Sequence, residues 1–554
     1  MDPSARPPAS GRTLETLPLI VLLAVTLLLG SVSLIFPFGR DQGIHAYVGD
    51  AMLSGQVFYR DAYDFKPPLT YFIHALALLL FGHSMLAIRL LDLLWTLATA
   101  FLIYLLLART LRRNWTAALG AALYPFQYYV LGYWYTAQTD GWLNLPLAAA
   151  LLCVVLAREN DAVPRRFRQS WLAAGALIGI AFLFKYTAAA LLPVLLALGW
   201  LRYRGRPLLA RDAILTQLAG FCVPVLLMLG YLLISGALPA FLESQFRLVP
   251  AYARVGIQPG FFQRFSFMFT NLAANTSLRL SSLLGLAGVV IAIVNLAQHP
   301  VRRPPSPPES ATPDSEFGVR RSEFTISLLA LLWLLVAGVS LFAQGRFFGY
   351  HYLPVFAPLA LLAGLALDPI IRRLRHTWSR LTLVCAVLLG LTVFSDYPRY
   401  FRVMADIARG EAALRDYWSS QTMGSSFLLG EQLDLADYLQ QSTRVQDKAF
   451  IWGFDPLVNF VARRRSPTRF IYNLPVAAAY ANPALRPELL ATLTRDPPLV
   501  FVVAHRDETP WVMGHELDSY ATLMEFAQLR DFLTGNYKLE TQVGRYDVWR
   551  RGKQ

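Results

Sequence analysis

Long apolar runs, separated by short polar connections, dominate residues 17–396 of this chain. Runs such as 19–36 and 326–342 approach the roughly 20 residues that a helix needs to cross a bilayer core of about 30 Å. The pattern predicts eleven transmembrane helices, at 17–37, 86–108, 115–133, 142–157, 171–184, 187–201, 213–236, 279–297, 325–343, 350–369 and 381–396.

Arginines are unevenly shared among the connections between these predicted spans. Alternate connections, beginning with 109–114 and ending with 370–380, are rich in arginine, whereas the short connections between them contribute only Lys185 and Arg346. Because arginine-rich connections stay in the cytoplasm, we predict a cytoplasmic N-terminus. The short apolar stretch 69–81 would invert this pattern if it crossed the membrane, so we interpret it as a helix at the outer interface or partly re-entrant.

The composition changes after Asp396 and becomes that of an ordinary water-soluble domain. Buried strands are predicted at Ala449–Trp452 and Leu499–Val503, and helices at Pro456–Arg464 and Ser519–Leu533. An odd number of spans places this domain outside. We therefore predict a polytopic α-helical membrane protein with a small C-terminal extracytoplasmic α/β domain. Its predicted parts are a cytoplasmic tail (1–16), a transmembrane domain (17–397) with an external loop (38–85) and a flexible cytoplasmic loop (298–323), and the external domain (398–554).

Composition and charge agree with a membrane protein. Only 16% of the residues are charged, against about 25% in soluble globular domains. The formal net charge is +14, but its excess lies mostly in short connections between spans, which indicates topology and not a nucleic-acid partner. Three cysteines, all within apolar runs, predict neither a disulfide framework nor a metal cluster.

The first external segment carries the first two candidate site residues. Asp41 directly follows the first span, and Lys66 precedes Pro67 and Pro68. The two prolines fix the backbone and end any preceding helix, so Lys66 is held at a defined point near the membrane face.

The later external connections add further polar candidates. Asp140 lies in a short loop, and Lys185 lies between two apolar runs, where a charge is costly without a partner or a wet cavity. Arg346, His351 and Tyr352 lie near the tenth span in a segment rich in cations and aromatic rings. In the predicted topology all five share the outer side with Asp41 and Lys66.

These residue types suggest a reaction at the outer membrane boundary. Asp41 and Asp140 carry carboxylates that serve as a general base or hold a metal, while the nearby lysines and Arg346 carry charges that neutralise phosphate. Each residue also has an ordinary interpretation. Charges next to a span are commonplace, Lys185 is long enough to extend to the lipid headgroups, and His351 fits an interfacial histidine.

The order and spacing of several short tracts resemble the lipid-linked-sugar glycosyltransferases of the GT-C fold, over about residues 1–370. The nearest likeness is to the bacterial protein mannosyltransferase and lipid A aminoarabinose transferase-like families. The tracts that carry it are Asp41–Tyr47, Tyr59–Asp61, Lys66–Pro68, Gly82 with Ala87–Leu91, Gly175–Lys185 and His351–Pro354. The C-terminal domain resembles the small extracytoplasmic domain of some members, with Trp452–Pro456 its most recognisable part.

The resemblance implies an enzyme of the cell envelope in the plasma (inner) membrane, which transfers a hexose or pentose from a polyprenyl-phosphate donor. The acceptor would be a hydroxyl of a glycan, lipid or protein on the outer side, and the anomeric carbon would be inverted. Asp41 matches the general base and Asp140 the second acid, while Lys66 and Lys185 match cations near the donor phosphate. Arg346 is a further candidate for that phosphate.

The remaining predictions concern substrate contacts and a metal. Tyr59, Arg60, His351 and Tyr352 are candidate substrate-binding residues. Gln42 stands where many relatives have Glu, and Phe65 stands where some relatives have a Glu that is associated with a metal. A divalent metal therefore stays open, with Asp41 and Asp140 as its ligands if one binds.

Two other function classes fit parts of the pattern. A lipid-linked-sugar flippase or other transporter would also place charges beside a cavity, but such proteins often show internal repeats and midplane broken helices. No convincing repeat is present in this sequence, and the polar candidates gather at one face. A non-catalytic envelope scaffold, anchored through its external domain, is the third reading.

Overall fold

The computed structural model describes residues 9–159, 164–255, 260–274, 276–298 and 316–552. The chain forms two compact units. The first comprises Met1–Leu34, Asp92–Leu226 and Phe261–Arg402. The second comprises Ile35–Leu91, Leu227–Gly260 and Val403–Gln554, so it joins segment 38–85 to the C-terminal domain.

The part before residue 397 is helical. Its α-helices are α1 (Ala9–Ser31), α2 (Arg40–Leu53), α3 (Leu69–Phe81), α4 (Met85–Leu111), α5 (Asn114–Tyr129), α6 (Thr139–Trp142), α7 (Asn144–Glu159), α8 (Pro164–Phe184), α9 (Leu191–Tyr203), α10 (Pro207–Ile234), α11 (Leu238–Glu243), α12 (Val249–Ala253), α13 (Phe261–Ala274), α14 (Thr276–Ala297), α15 (Glu316–Gln344), α16 (Leu353–Arg373) and α17 (Thr377–Val393). Short 3₁₀ turns occur at Val32–Ile35, Tyr186–Ala190 and Gly349–Tyr352, and a π-turn at Ser244–Leu248.

The C-terminal part is mixed. Its helices are α18 (Tyr397–Ala408), α19 (Leu414–Ser419), α20 (Leu429–Ser442), α21 (Pro456–Ala462), α22 (Leu474–Ala477), α23 (Leu485–Arg495), α24 (Pro510–Met513), α25 (Ser519–Glu525) and α26 (Ala527–Asn536). Its strands are β1 (Ala449–Trp452), β2 (Val500–Ala504), β3 (Tyr537–Val543) and β4 (Tyr546–Arg551).

Several helices are long and apolar enough to span a bilayer. Eight such helices occur within the described residues, or up to nine if α17 and α18 form one bent span. The chain is thus a multi-pass membrane protein, as predicted. The predicted spans 115–133 and 279–297 correspond to α5, which has only 16 residues, and to the short apolar stretch Ser281–Ala297 of α14. The total of eleven spans stays a prediction.

Element boundaries confirm some predictions and correct others. Helix α3 occupies Leu69–Phe81 as predicted, with 13 residues, and Lys185 lies at the break between α8 and the following 3₁₀ turn. Helix α1 begins at Ala9 and its apolar, membrane-length part at Thr16, so the second half of the predicted tail 1–16 is helical, and its cytoplasmic placement stays a prediction. Helix α15 begins at Glu316 and its apolar, membrane-length part at Glu323, so the last residues of the predicted loop 298–323 are helical, and its cytoplasmic placement stays a prediction. Residues 299–315 of that loop lie outside the described residues.

Close helix contacts organise the first unit. Helix α5 packs against α1 and α16. A methyl group built on Gly120 of α5 would lie 2.9 Å from the Cα atom of Gly364 in α16, so glycine is required for this approach. At one end of the same interface, Asp368 accepts hydrogen bonds from Arg113 at 2.5 Å and from Thr116 at 2.7 Å. Burial of these polar groups is tolerated because they satisfy one another.

A four-stranded sheet forms the core of the second unit. The strand order is β1-β2-β4-β3, with β1 and β2 parallel and the other pairs antiparallel. Strands β1 and β2 are buried throughout, which explains their continuous apolar sequences. Both strands were predicted from those sequences. The predicted helix at Pro456–Arg464 is α21. Strands β3 and β4 were not predicted, since β3 is largely exposed and mostly polar.

Segment 38–85 packs onto this C-terminal domain within the second unit. The ring of His83 stacks on Phe460 with centroids 4.2 Å apart, and Arg465 pairs with Asp50 at 2.6 Å. The backbone N–H of Tyr63 donates to the carbonyl of Arg469 at 2.7 Å. The segment that carries Asp41 and Lys66 is therefore folded together with residues that lie more than 350 positions further along the chain.

Candidate active site

Asp41 lies in the first turn of α2, where the N-terminal end of a helix favours a negative charge. Gly39 caps this helix, and its backbone N–H donates to the side-chain oxygen of Gln42 at 3.1 Å. The Asp41 carboxylate accepts a hydrogen bond from the ammonium group of Lys66 at 3.1 Å. Both side chains keep some exposure to solvent, 27% for Asp41 and 17% for Lys66.

Two tyrosines hold the backbone of Lys66. The hydroxyl of Tyr59 donates to the Lys66 carbonyl at 2.5 Å, and the Lys66 N–H donates to the hydroxyl of Tyr71 at 3.1 Å. Tyr59 has a left-handed backbone conformation, with φ of 64°, which costs a non-glycine residue about 1 kcal/mol or more. This strained turn and the two hydroxyl groups fix the point from which the Lys66 side chain reaches Asp41.

The buried carboxyl group of Asp64 is linked to the backbone of Lys66 through Tyr71. Asp64 accepts hydrogen bonds from Tyr71 at 3.0 Å and from Tyr472 of the C-terminal domain at 2.7 Å. Burial raises the pKa of Asp64 despite these donors. The ring of His45 lies 3.9 Å from the same carboxyl group, and burial lowers the pKa of His45 well below its usual value, with further lowering by His74 and Lys66.

A second lysine–carboxylate pair lies in the first unit. Asp140 is in the short helix α6, not in an irregular loop as predicted, and only 3% of its side chain is exposed. The Lys185 ammonium group donates to its carboxylate and also to the side-chain oxygen of Gln344 at 2.7 Å. Gln344 ends α15 and donates to the carbonyl of Ser340 at 3.1 Å. Helices α6 and α15 and the break after α8 thus contribute to this cluster.

The segment after α15 carries the other candidates of the first unit. Half-buried Arg346 lies in a stretch without regular secondary structure, and His351 and Tyr352 lie in the 3₁₀ turn that precedes α16. This turn packs against α6, the helix that contains Asp140. The hydroxyl of Tyr352 donates to the carbonyl of Phe267 at 3.1 Å.

The structure thus groups the candidates into two sets. Arg60, which is partly exposed, pairs with Asp61 at 2.7 Å and donates to the carbonyl of Ser235 at 2.6 Å. It belongs to the second unit with Tyr59, Asp41 and Lys66. The first unit contains the remaining candidates, namely Asp140, Lys185, Arg346, His351 and Tyr352. That both sets serve one site stays a prediction.

Comparison with known proteins shows two kinds of likeness, in sequence and in fold. Residues 65–231 match the family described as dolichyl-phosphate-mannose-protein mannosyltransferase. A stretch of 176 residues is 31% identical to the undecaprenyl phosphate-alpha-4-amino-4-deoxy-L-arabinose arabinosyl transferase of Pseudomonas aeruginosa (strain UCBPP-PA14), covering 30% of this chain and 31% of that protein. A second transferase of this description, from Proteus mirabilis (strain HI4320), is 28% identical over 130 residues, covering 24% of this chain and 23% of that protein. These matches span about a third or less of the curated relatives' length.

Solved structures extend the likeness to almost the whole chain. The crystal structure of ArnT from Cupriavidus metallidurans bound to undecaprenyl phosphate has a TM-score of 0.57 and 17% sequence identity, and covers 97% of this chain and 100% of that chain. The apo structure of the same protein has a TM-score of 0.58 and 17% identity, and covers 97% and 99%. This chain has the fold of ArnT. The GT-C fold class and the resemblance predicted from the sequence are confirmed.

The sequence left open a divalent-metal site with Asp41 and Asp140 as its ligands. The surroundings of these two carboxylates do not fit such a site. In the parts of the chain that the structure describes, no three His, Cys, Asp or Glu side chains come together to bind an ion. Asp41 and Asp140 each contact a lysine ammonium group, which repels a cation. Phe65, the residue just before Lys66, has no side-chain atom that binds a metal. No step is therefore assigned to a metal.

Four residues around the two pairs were missed by sequence reasoning. Gln344 carries a weak signal, because an uncharged polar residue at the end of an apolar run usually has a partner. Asp64 and Tyr71 flank Lys66 in the sequence, but nothing in their spacing distinguishes them. Tyr472 carries no signal at all, since its partner Asp64 is 408 positions away.

Proposed function

We propose that this protein is a membrane glycosyltransferase that moves a sugar from a polyprenyl-phosphate donor to an acceptor hydroxyl on the outer side of the membrane. The observation that carries the proposal is the Asp41–Lys66 pair, partly open to solvent, in a chain with the fold of ArnT. Both curated relatives named above are transferases described as acting with undecaprenyl phosphate. A lysine that binds phosphate and a carboxylate that takes a proton are the side chains that a lipid-phosphate sugar donor requires.

The proposed reaction has one bond-forming and one bond-breaking event. The acceptor oxygen attacks the anomeric carbon of the sugar while the bond from that carbon to the donor phosphate breaks. Asp41 takes the acceptor's proton as general base, which contributes about 10²–10⁴-fold to such reactions. Attack from the face opposite the leaving group inverts the anomeric carbon, and polyprenyl phosphate leaves with its negative charge.

Cations stabilise that leaving group. Lys66 lies beside Asp41, so its ammonium group would exchange its carboxylate partner for a donor phosphate oxygen as substrate enters. Lys185 and Arg346 are further candidates for phosphate contacts. Charge stabilisation of this kind, by groups already in position, is usually the largest single contribution to catalysis.

An apolar cleft in the first unit suits the lipid part of the donor. Its volume is about 730 Å³, and α13, α14, α15 and α16 form its walls. Phe265, Leu286, Leu335 and Leu359 are among the lining side chains, and Arg279 is the one charged member of the lining. A cleft of this character would accept part of an isoprenoid chain because burial of apolar surface is favourable.

We further propose a cytoplasmic N-terminus and an extracytoplasmic C-terminal domain in the plasma (inner) membrane. The alternation of arginine-rich and arginine-poor connections supports this orientation. The test introduces single cysteines at Gly205 and at exposed Val445, in a background lacking the three native cysteines, and treats intact cells with an impermeant thiol reagent. Labelling of position 445 and not of position 205 is expected, and the reverse pattern would overturn the orientation.

A transfer assay tests the activity. Purified protein in liposomes is incubated with polyprenyl-phosphate sugars, labelled in the sugar, and with envelope lipids, glycans or proteins as acceptors. Release of free polyprenyl phosphate together with a labelled acceptor is expected. Movement of intact donor across the bilayer without release would instead make the protein a flippase. No release and no movement with any donor would leave only the hypothesis of a non-catalytic envelope scaffold.

A further inference from the structure

The C-terminal domain contacts the Lys66 segment through a chain of buried hydrogen bonds. Tyr472 donates to one oxygen of Asp64 at 2.7 Å. The other oxygen of Asp64 accepts from Tyr71 at 3.0 Å, and Tyr71 accepts from the Lys66 N–H at 3.1 Å. Because Asp64, Tyr71 and Tyr472 are almost fully buried, no water competes for these bonds.

A second set of contacts holds the start of α2, which carries Asp41. Arg40 donates to the carbonyl of Ser426 at 2.8 Å, and its guanidinium group lies 4.9 Å from the centre of the Phe454 ring. Two residues beyond Asp41, Gly43 packs against Leu457 of α21, and a methyl group at Gly43 would lie 2.7 Å from the Leu457 Cβ atom. The domain therefore contacts the chain on both sides of Asp41.

We propose that the C-terminal domain positions the Asp41–Lys66 pair, with Tyr472 acting on Lys66 through Asp64 and Tyr71, and with Leu457 and Phe454 acting on Asp41 through α2. This inference rests on the proposed function. Tyr472 is a positioning residue and not a catalytic residue, since the residue that it contacts is Asp64. A general base and a leaving-group cation must be held to within a fraction of an ångström, and a shift of about 1 Å can reduce turnover on the order of 100-fold.

A purely structural role for these contacts would give a different result. If these contacts only attached the C-terminal domain to the rest of the chain, their loss would lower the free energy of unfolding in proportion to the hydrogen bonds removed. The kcat of the folded protein would then stay unchanged. The two possibilities separate when turnover and unfolding are measured on the same variants.

The test compares two tyrosine-to-phenylalanine substitutions in the full-length protein. Tyr472→Phe removes the donor to Asp64. Tyr537→Phe removes one hydroxyl of the same domain, which donates at 2.8 Å to the carbonyl of Pro498 and lies outside both sets of contacts. We expect Tyr472→Phe to lower kcat about 10-fold with little change in the KM for donor, and Tyr537→Phe to retain wild-type kcat. Equal kcat for the two variants, with equal unfolding midpoints, would overturn the proposal.

A double-mutant cycle tests the route from Tyr472 to Lys66. If the effect passes through Asp64 and Tyr71, Tyr472→Phe should lower kcat much less in a Tyr71→Phe background than in the wild type. Multiplication of the two separate effects would contradict this route. Gly43→Ala tests the other set of contacts without changing a hydrogen bond, and a kcat equal to that of the wild type would remove α21 from the account.

A structural readout keeps this inference separate from the proposed function. A structure of the Tyr472→Phe protein should show the Asp41–Lys66 hydrogen bond lengthened or broken, whether or not any donor is turned over. An unchanged 3.1 Å contact would overturn the inference alone. Absence of transfer by the wild-type protein would instead overturn the proposed function.

Discussion

The two lysine–carboxylate pairs differ in burial and in what surrounds them. Asp41 and Lys66 are 27% and 17% exposed, and the loop around Lys66 is held by tyrosine hydroxyls. Asp140 is only 3% exposed, and Lys185 shares its ammonium group between Asp140 and Gln344. A partly open pair can exchange partners with a substrate at low cost, whereas separation of a buried pair leaves a charge without compensation. We therefore expect the first pair to govern turnover and the second to contribute strongly to stability.

The largest expected effect is on turnover. Asp41→Asn should reduce transfer by about 10³-fold, because it removes the proposed general base, with little change in the unfolding midpoint. Release of polyprenyl phosphate from a labelled donor measures the first quantity, and thermal unfolding in detergent measures the second. Asp434→Asn is the matched control, since Asp434 is a 65% exposed carboxylate of the C-terminal domain.

The outcome that contradicts this expectation is near-normal turnover by the Asp41→Asn protein. That result would remove Asp41 from the base role and would leave only the phosphate contact of Lys66 assigned to this pair. A loss of folded protein in this variant would instead show that the pair is structural.

The second effect contrasts the two lysines in stability. Lys185→Met removes the cation beside buried Asp140 and should destabilise the protein by about 3–5 kcal/mol. Lys66→Met should cost about 1 kcal/mol or less, because its pair is more exposed. Unfolding by heat or denaturant, compared between the two variants, gives the difference. Similar losses in both would show that burial does not distinguish the pairs.

A matched double variant sharpens the same comparison. Lys185→Met combined with Asp140→Asn removes both charges from the buried site, so it should recover much of the stability that Lys185→Met alone loses. No recovery would indicate that Lys185 contributes through packing or through Gln344 and not through its charge pair.

The third effect is a pH dependence that belongs to the C-terminal domain. Burial raises the pKa of Asp455 from 3.8 to about 6, and the charge of Asp507 adds to this while Arg40 opposes it. The folded protein then holds a proton that the unfolded chain releases, so Asp455 contributes most stability below pH 4 and loses that contribution as pH rises to about 6. The resulting change in the free energy of unfolding is on the order of 3 kcal/mol.

Asp455→Asn isolates this contribution. The variant should lack the part of the pH dependence between about pH 4 and pH 6 that the wild-type protein shows. Thermal unfolding across that interval measures it. Identical pH profiles for the two proteins would show that Asp455 does not titrate there.

The smallest effect concerns Gln344. Gln344→Leu removes one hydrogen bond to Lys185, and the cost should be about 1–2 kcal/mol because the donor is charged. Gln421→Leu is a suitable control, since Gln421 lies in the other unit, and its amide donates to Tyr417 and to Ser420. Equal unfolding midpoints for the Gln344 variant and the wild type would remove Gln344 from the cluster.

The sequence predicted the features that depend on local composition. Apolar runs located the helices, including the 13-residue α3, and Lys185 was recognised at a helix break because a charge between two spans is expensive. Strands β1 and β2 were predicted because they are apolar throughout. These features need no knowledge of distant contacts.

The missed features depend on contacts between distant residues. Nothing local in Tyr472 indicates that its hydroxyl meets Asp64, and nothing in Leu457 indicates that it packs against Gly43. The Asp41–Lys66 contact joins residues only 25 positions apart, yet its geometry depends on these distant partners. The candidate residues were therefore predictable, whereas the contacts that hold them were not.

A structure with a non-hydrolysable polyprenyl-phosphate sugar analogue bound tests the central claim most directly. We expect a phosphate oxygen within hydrogen-bonding distance of the Lys66 ammonium group. We also expect the Asp41 carboxylate to face the side of the anomeric carbon opposite that phosphate. An analogue bound with its phosphate away from Lys66, or with Asp41 on the leaving-group side, would contradict the account.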